Sequence, residues 1–361
     1  MRLVADSGLW STGRQAVQPP LVAVLEVIGA VLSWPIDYPS HLAQITFTDP
    51  ARADWLWRVL GESGHSALAA ALNERPRDAA VELAGVDVVP GSLEPLRRLA
   101  LGHWLRRWWP ASRRDGIAAL DGALLDAEIA VLTARVEDFF AEDTFDSDVA
   151  GLLRPHAGAL SAHLQDGDPR VGELVRACAD LADDVGIALG EAESVPRRRD
   201  DYALAAGADP VGSGSGAIAT GTDSVNWAGV PPRIFDVAEN TIAWRVDAAD
   251  GVAKAAVRVD LSGPGLAAGI AVRLQSGTLG GASMLDADGV ATFAVVDEKK
   301  QPVTESVAWD HDWRSTAVTV GAGVEELPQT RERIRDFARA RLREPAGDAF
   351  LAEVLAAESD Y

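Results

Sequence analysis

The spacing of apolar and polar positions changes character once along this chain. In the first half, apolar residues recur every three or four positions. Leu101, Trp104, Leu105 and Trp108 take the i, i+3, i+4 and i+7 places of one helical face, and Pro110 closes it. The clearest periodicity is Leu125, Ile129, Leu132, Val136 and Phe139, interleaved with Glu128, Arg135, Glu137 and Asp138, which predicts a long amphipathic helix packed on a core. Further helices are predicted over residues 150–165 and 169–189, the second capped by Asp168 with proline at the first helical position. The longest apolar run, residues 21–34, reads as a buried helix, too short to span a bilayer and interrupted by Glu26. Short β candidates at 44–48 and 80–89 keep an α+β variant of this helix-dominated region open.

Between residues 191 and 225 the pattern fails. Pro196, a run of arginines and aspartates, and alternating Gly and Ser at 212–216 leave little to bury, which predicts a flexible linker. Beyond it the period falls from 3.6 to 2. Residues 241–246, 255–261, 270–274, 290–296, 303–309 and 315–320 are short, β-branched and separated by Gly, Asp and Pro, so an antiparallel sandwich is expected. Asp288-Gly289 between apolar flanks signals a hairpin with a type I′ turn. The stretch Leu285-Asp286-Ala287-Asp288-Gly289-Val290-Ala291-Thr292-Phe293 resembles strand pairs of immunoglobulin-like or prealbumin-like sandwiches; the resemblance covers nine residues and implies no function. Two helical patterns, 329–343 and 347–358, follow. The expected class is α+β. It comprises a helix-rich domain (1–190), a linker (191–225), a β-sandwich module (226–326) and C-terminal helices (327–361).

Composition narrows the classes. At 361 residues the chain exceeds the size at which one core usually stops growing, which favours two domains. A formal charge of −21 opposes non-specific attraction to nucleic acid or anionic membrane. The single cysteine, Cys178, forms no internal disulfide, and residues 1–10 lack the apolar stretch of a secretory leader, so a reducing cytoplasm is expected.

The most unusual local chemistry is Arg97-Arg98, Arg106-Arg107, Trp108-Trp109 and Arg113-Arg114, inside an acidic protein. Guanidinium planes stack on indoles and hold carboxylate or phosphate in a fork, so Arg106, Arg107, Trp108, Trp109, Arg113 and Arg114 are candidates for gripping a partner. The plainer alternative places the indoles in the core and the arginine heads on the chain's own carboxylates. Trp309, His311 and Trp313 would share one strand face with Val307, opposite Asp310 and Asp312, and are the second candidate contact. A strand supplying ligands on opposing faces is poor metal geometry, and an aromatic stripe in the sandwich is the alternative.

Other constellations fail on spacing. His156 and His163 are seven apart, too far for a zinc helix; Asp286 and Asp288 begin a calcium loop that nothing completes. Gly64-His65-Ser66-Ala67-Leu68 lacks the final glycine and preceding strand of a nucleophile elbow, and Gly212, Gly214 and Gly216 lack the context of a phosphate loop. Cys178 reads as a small buried side chain. No metal and no cofactor is expected.

These residues point to a non-enzymatic adaptor or regulatory subunit, because eleven tryptophans and a jointed layout suit protein interfaces. A bacterial multi-protein regulatory or defence assembly is one setting that would suit it. The alternatives are an enzyme of unrecognised type, using histidines 41, 65, 103, 156, 163 or 311 with a carboxylate, and anion or nucleic-acid contact through the Arg/Trp segment. The C-terminal helices, 329–343 and 347–358, can also serve as a docking element, laying an apolar face into a partner's groove, the alternative being that they pack on their own domain.

Overall fold

A computed structural model describes residues 1–6, 8–13, 19–38, 42–74, 80–137, 139–140, 146–164, 167–184, 186, 216–263 and 265–359. The chain is α+β and forms two compact units, each assembled from separated stretches: Met1–Arg107, Leu120–Val195 and Arg339–Tyr361 in unit 1, Trp108–Ala119 and Pro196–Ala338 in unit 2. Residues 339–361 therefore cluster with the N-terminal stretches.

Unit 1 contains a six-stranded antiparallel sheet built from β1 (Arg2–Asp6), β2 (Leu9–Ser11), β3 (Val22–Val27), β4 (Ala30–Pro35), β5 (Gln44–Phe47) and β6 (Val81–Glu82), in the order β3-β4-β5-β2-β1-β6. The run at 21–34 is thus a hairpin and not a buried helix. Two strands with mostly buried side chains, joined by a tight turn, read as one apolar stretch interrupted only at Glu26 and Ser33. The break is Gly29, at φ +75° in the two-residue connection, where a Cβ would stand 2.4 Å from the Asp49 carbonyl oxygen.

The helices of unit 1 are α1 (Trp57–Glu74), α2 (Glu94–Trp108, whose last residue falls in unit 2), α3 (Gly122–Glu137), α4 (Asp146–Leu153), α5 (Ala157–His163) and α6 (Pro169–Asp184). α1 is interrupted at Gly61, and the helix expected over 150–165 is divided by a 3-10 turn at Arg154–His156 around Pro155. Asp168 caps α6 as the sequence indicates, accepting from the Arg170 N–H.

Unit 2 carries β7 (Ala219–Asp223), β8 (Ile242–Ala249), β9 (Val252–Val259), β10 (Ala271–Ser276), β11 (Leu279–Met284), β12 (Val290–Ala294), a short helix α7 (Glu305–Asp310) and β13 (Ala317–Val320). The strands form two antiparallel sheets, β11-β10-β13 and β12-β9-β8-β7, and both contribute to one apolar core, with Val272 and Leu274 from the first and Trp244 and Val257 from the second. Of the expected linker, residues up to 215 lie outside the described residues, and Ala219–Asp223 is a strand paired with β8. Its alternation of half-buried and exposed positions is weak in apolar residues, which is why composition hides it. Gly221 is required there, because a Cβ would lie 2.4 Å from the Trp244 indole.

Two further expectations are corrected. Asp288 does not adopt the positive φ of a type I′ turn; only Gly289 does, at +75°, and the Asp286 carboxylate closes the loop by accepting from the Asp288 and Val290 N–H groups. Residues 303–309 do not form a strand. Val303 pairs with Ala253 and Val295, after which the chain turns into α7, so no strand face presents Trp309, His311 and Trp313 together.

α8 (Pro328–Arg343) crosses the division after Ala338, and α9 (Leu351–Ser359) belongs to unit 1. Here lies a buried ionic lock. Arg341 donates to both carboxylate oxygens of the wholly buried Glu353, at 2.5 and 2.7 Å, and to Asp348 at 3.0 Å. Burial alone would lower the affinity of Arg341 for its proton, but these carboxylates outweigh it and raise it. Glu353 also accepts from the Phe350 N–H, setting Phe350 at full burial, with its ring where a Cβ on Gly102 would be 2.8 Å away. Glu128 on α3 takes the Leu351 N–H at 2.7 Å and Arg98 at 2.6 Å; burial pushes its carboxyl above the usual range despite both.

β11 and β12 are joined at two points of one register. Gly280 and Val296 exchange hydrogen bonds of 3.0 and 2.7 Å, and the Asp286 N–H donates to the Val290 carbonyl oxygen. Between them, Ala282 and Met284 stand opposite Ala294 and Thr292 with no backbone hydrogen bond across the seam.

Two measurements test this. Glu353→Gln, which takes the Glu353 charge from a buried guanidinium and leaves it Asp348, is expected to lower unfolding free energy by about 3 kcal/mol, with the Arg341→Met/Glu353→Leu pair recovering most of it in the same denaturant titration. In hydrogen exchange, the amides of Ala282, Met284, Thr292 and Ala294 should exchange at least about tenfold faster than those of Gly280 and Val296.

Candidate functional site

The residues singled out from sequence are divided between the units. In unit 1, Arg106 on α2 donates from Nε to Asp126 Oδ1 at 2.9 Å, and Arg107 is half-buried. Asp126 on α3 is 1 % exposed, so its charge requires compensation. The second oxygen, Oδ2, is 2.9 Å from His156 Nε2. Seven residues on, His163 Nε2 lies 3.0 Å from Asp121, whose Oδ1 caps α3 through the Ala123 and Leu124 N–H groups. The two histidines thus take separate carboxylates of the same helix and pin residues 154–163 to it, with Leu160 buried between them.

A histidine oriented by a buried carboxylate is half of a base assembly. Among the described residues, Asp126 is the hydrogen-bond partner of His156, and no hydroxyl or thiol stands against the ring. His41 lies outside the described residues. Among the described residues, no group of three or more His, Cys, Asp or Glu side chains is placed to hold a metal ion. Ser66 bonds back to the Glu62 carbonyl oxygen within α1, and burial pushes the Cys178 thiol up to about 12, so it stays protonated at neutral pH.

In unit 2, Trp108 is half-buried and Trp109 is buried, donating its indole N–H to the Ala118 carbonyl oxygen at 2.8 Å. Arg113 has an exposed side chain, and its backbone N–H donates to the buried Asp236. Arg114 donates to Asp260 at 2.7 Å and to the Asn240 carbonyl oxygen at 2.8 Å. The guanidinium heads of Arg106 and Arg114 are therefore occupied by carboxylates of the chain.

The second aromatic group separates by exposure. Trp313 is buried and donates to the Ala308 carbonyl oxygen at 2.9 Å. His311 packs edge-on against it at 4.7 Å and meets the buried Ser276 hydroxyl at 3.0 Å. Trp309, on α7, is 53 % exposed, and Val307 is 52 % exposed. Elsewhere in unit 2, a cavity on the outer face of β10 and β11 is bordered by Arg273 and Lys300, which belong to no sequence motif. Arg273 sits at an outward position of a recognised strand, the one signal that marked it as surface chemistry.

No family model, no curated protein and no solved structure matches this chain. No helix among the described residues is long and apolar enough to cross a membrane.

An exposed ionic clip ties two helices of unit 1. Arg170 donates to Asp168 at 2.7 Å and to both oxygens of Glu358 on α9, at 2.8 and 2.7 Å. The hydrogen bonds from Arg170 hold Asp168 at about 2, below its ordinary 3.8. A carboxylate held low stabilises the fold above its unfolded value and loses that contribution as pH falls through the folded one. The protection of amides at the start of α6, taken relative to the unfolded chain at each pH, is accordingly expected to fall between about pH 4 and 2, with a smaller step in Asp168→Asn, where Glu358, also held low by Arg170, still titrates. Asp126→Asn, by uncoupling Arg106 and His156, should cost about 1 to 3 kcal/mol in a thermal melt at neutral pH.

Proposed function

We infer that this chain is a non-enzymatic, protein-binding component, an adaptor or regulatory subunit whose contact surface is the α7 face of unit 2. The observation that carries the reading is Trp309 on α7, half in solvent, while Trp313 four residues on is interior. Burying an exposed indole removes a large apolar area from water, and tryptophan is enriched among residues that dominate binding energy. The net charge of −21 disfavours nucleic acid and anionic membrane as the partner, and the lone Cys178 suits a reducing cytoplasm. The two sheets sharing one core suit an immunoglobulin-like or prealbumin-like sandwich, a scaffold that commonly displays such surfaces.

A photo-crosslinking residue at position 309 in otherwise native chain is expected to capture one discrete protein in a cell extract, with capture suppressed by excess unlabelled native chain. Trp309→Ala as competitor should be at least about tenfold weaker. Capture no stronger than from position 314, exposed in the same unit, or equal competition by Trp309→Ala, overturns the reading.

A further inference from the structure

The outer face of β10 and β11 in unit 2 holds an open cavity of about 650 Å³. Part of its floor is bare backbone at Gly280 and Gly281. A Cβ on Gly280 would stand 2.8 Å from Gln275 Oε1, and one on Gly281 would stand 2.6 Å from the Phe293 ring, so packing excludes side chains at both. The Gln275 amide is pinned across the turn by its bonds to the Gly277 and Leu279 carbonyl oxygens, which fixes that edge.

Three donors border the cavity: the Arg273 guanidinium from β10, the Thr278 hydroxyl from the turn, and the Lys300 ammonium from the loop beyond β12. Among the described residues, none of these side chains makes a hydrogen bond or ion pair. This is unusual in an acidic chain, where Arg98, Arg106, Arg114, Arg245 and Arg341 have all found carboxylates. Two acids share the rim. Asp297 is engaged, its Oδ1 accepting from the Lys299 and Gln301 N–H groups at 2.8 and 2.9 Å, whereas Glu298 keeps its acceptor capacity.

We propose that this cavity binds a small organic anion, a carboxylate or phosphate monoester, that also carries a hydroxyl or ammonium donor. The anion is held in the planar fork of Arg273, with Lys300 as the second charge and Thr278 as a neutral donor. Glu298 accepts from the ligand's own donor, which separates such ligands from simple salts. The volume falls within the range of about 300 to 1,000 Å³ usual for small-molecule sites. This site is independent of the α7 surface, so either can fail without the other.

Backbone NMR of the full chain, titrated with glycerol 3-phosphate and separately with malate against sodium chloride at matched ionic strength, tests the proposal. The expected result is a saturable shift of the Thr278, Gly280 and Lys300 amides with at least one organic anion, the stronger of the two identifying phosphate or carboxylate. Arg273→Gln and Lys300→Gln should each weaken binding about tenfold while leaving the melting temperature unchanged, since both side chains are exposed. Glu298→Ala, which removes the acceptor, should weaken the organic anions relative to inorganic phosphate. The proposal is overturned by the absence of a saturable shift up to about 50 mM, where even millimolar affinity would saturate. It is equally overturned by shifts that sodium chloride reproduces, or by native affinity in Arg273→Gln.

Discussion

The charged pair of Arg341 and Glu353 is the constraint around which unit 1 closes. A carboxylate removed from water must be neutralised and have its lone pairs filled, and Glu353 meets both demands through two guanidinium bonds and the Phe350 N–H. Each of these partners is fixed in turn. Arg341 is held by Asp348, Phe350 fills the space above Gly102, and Leu351 is tied to Glu128. The start of α9 is thus set by directional charge contacts, while shape alone would tolerate some sliding of an apolar helix.

The same economy governs the edges of unit 2. β7 and β13 close different sheets, and the Asp223 side chain reaches from the end of one to accept the Val318 N–H of the other at 2.8 Å. On the opposite side, β11 and β12 share hydrogen bonds only where Gly280 meets Val296 and where Asp286 meets Val290. Strand edges that would otherwise invite pairing with other chains are in this way occupied or narrowed.

Much of this was legible in the sequence where one face of an element meets solvent. α6 announces itself because Glu, Arg and Asp mark its outer side, α3 by its apolar repeat even though Asp126 and Glu128 turn inward, and most strands of unit 2 by alternation. The hairpin at 21–34 was not, because β4 buries most of its residues and the alternation of β3 is masked in sequence by Val24, an apolar residue at an exposed position. α7 was missed because a six-residue helix is too short to show a period and tertiary pairing at Val303 decides where it starts. For the candidate surfaces, sequence located Trp309 and Trp313 and was silent on which is exposed. It gave no sign that Arg273 and Lys300 border one cavity, since nothing local links a strand residue to a later turn.

Unit 1 is also discontinuous in time. During synthesis its sheet and its helices through α6 emerge well before Phe350 does, and the slot against Gly102 stays unfilled while Pro196–Ala338 is translated. The nascent chain carries an apolar vacancy through that interval. A unit closed by α9 only after residues 196–338 have been made therefore exposes apolar surface for longer than a sequentially closed domain of equal stability would.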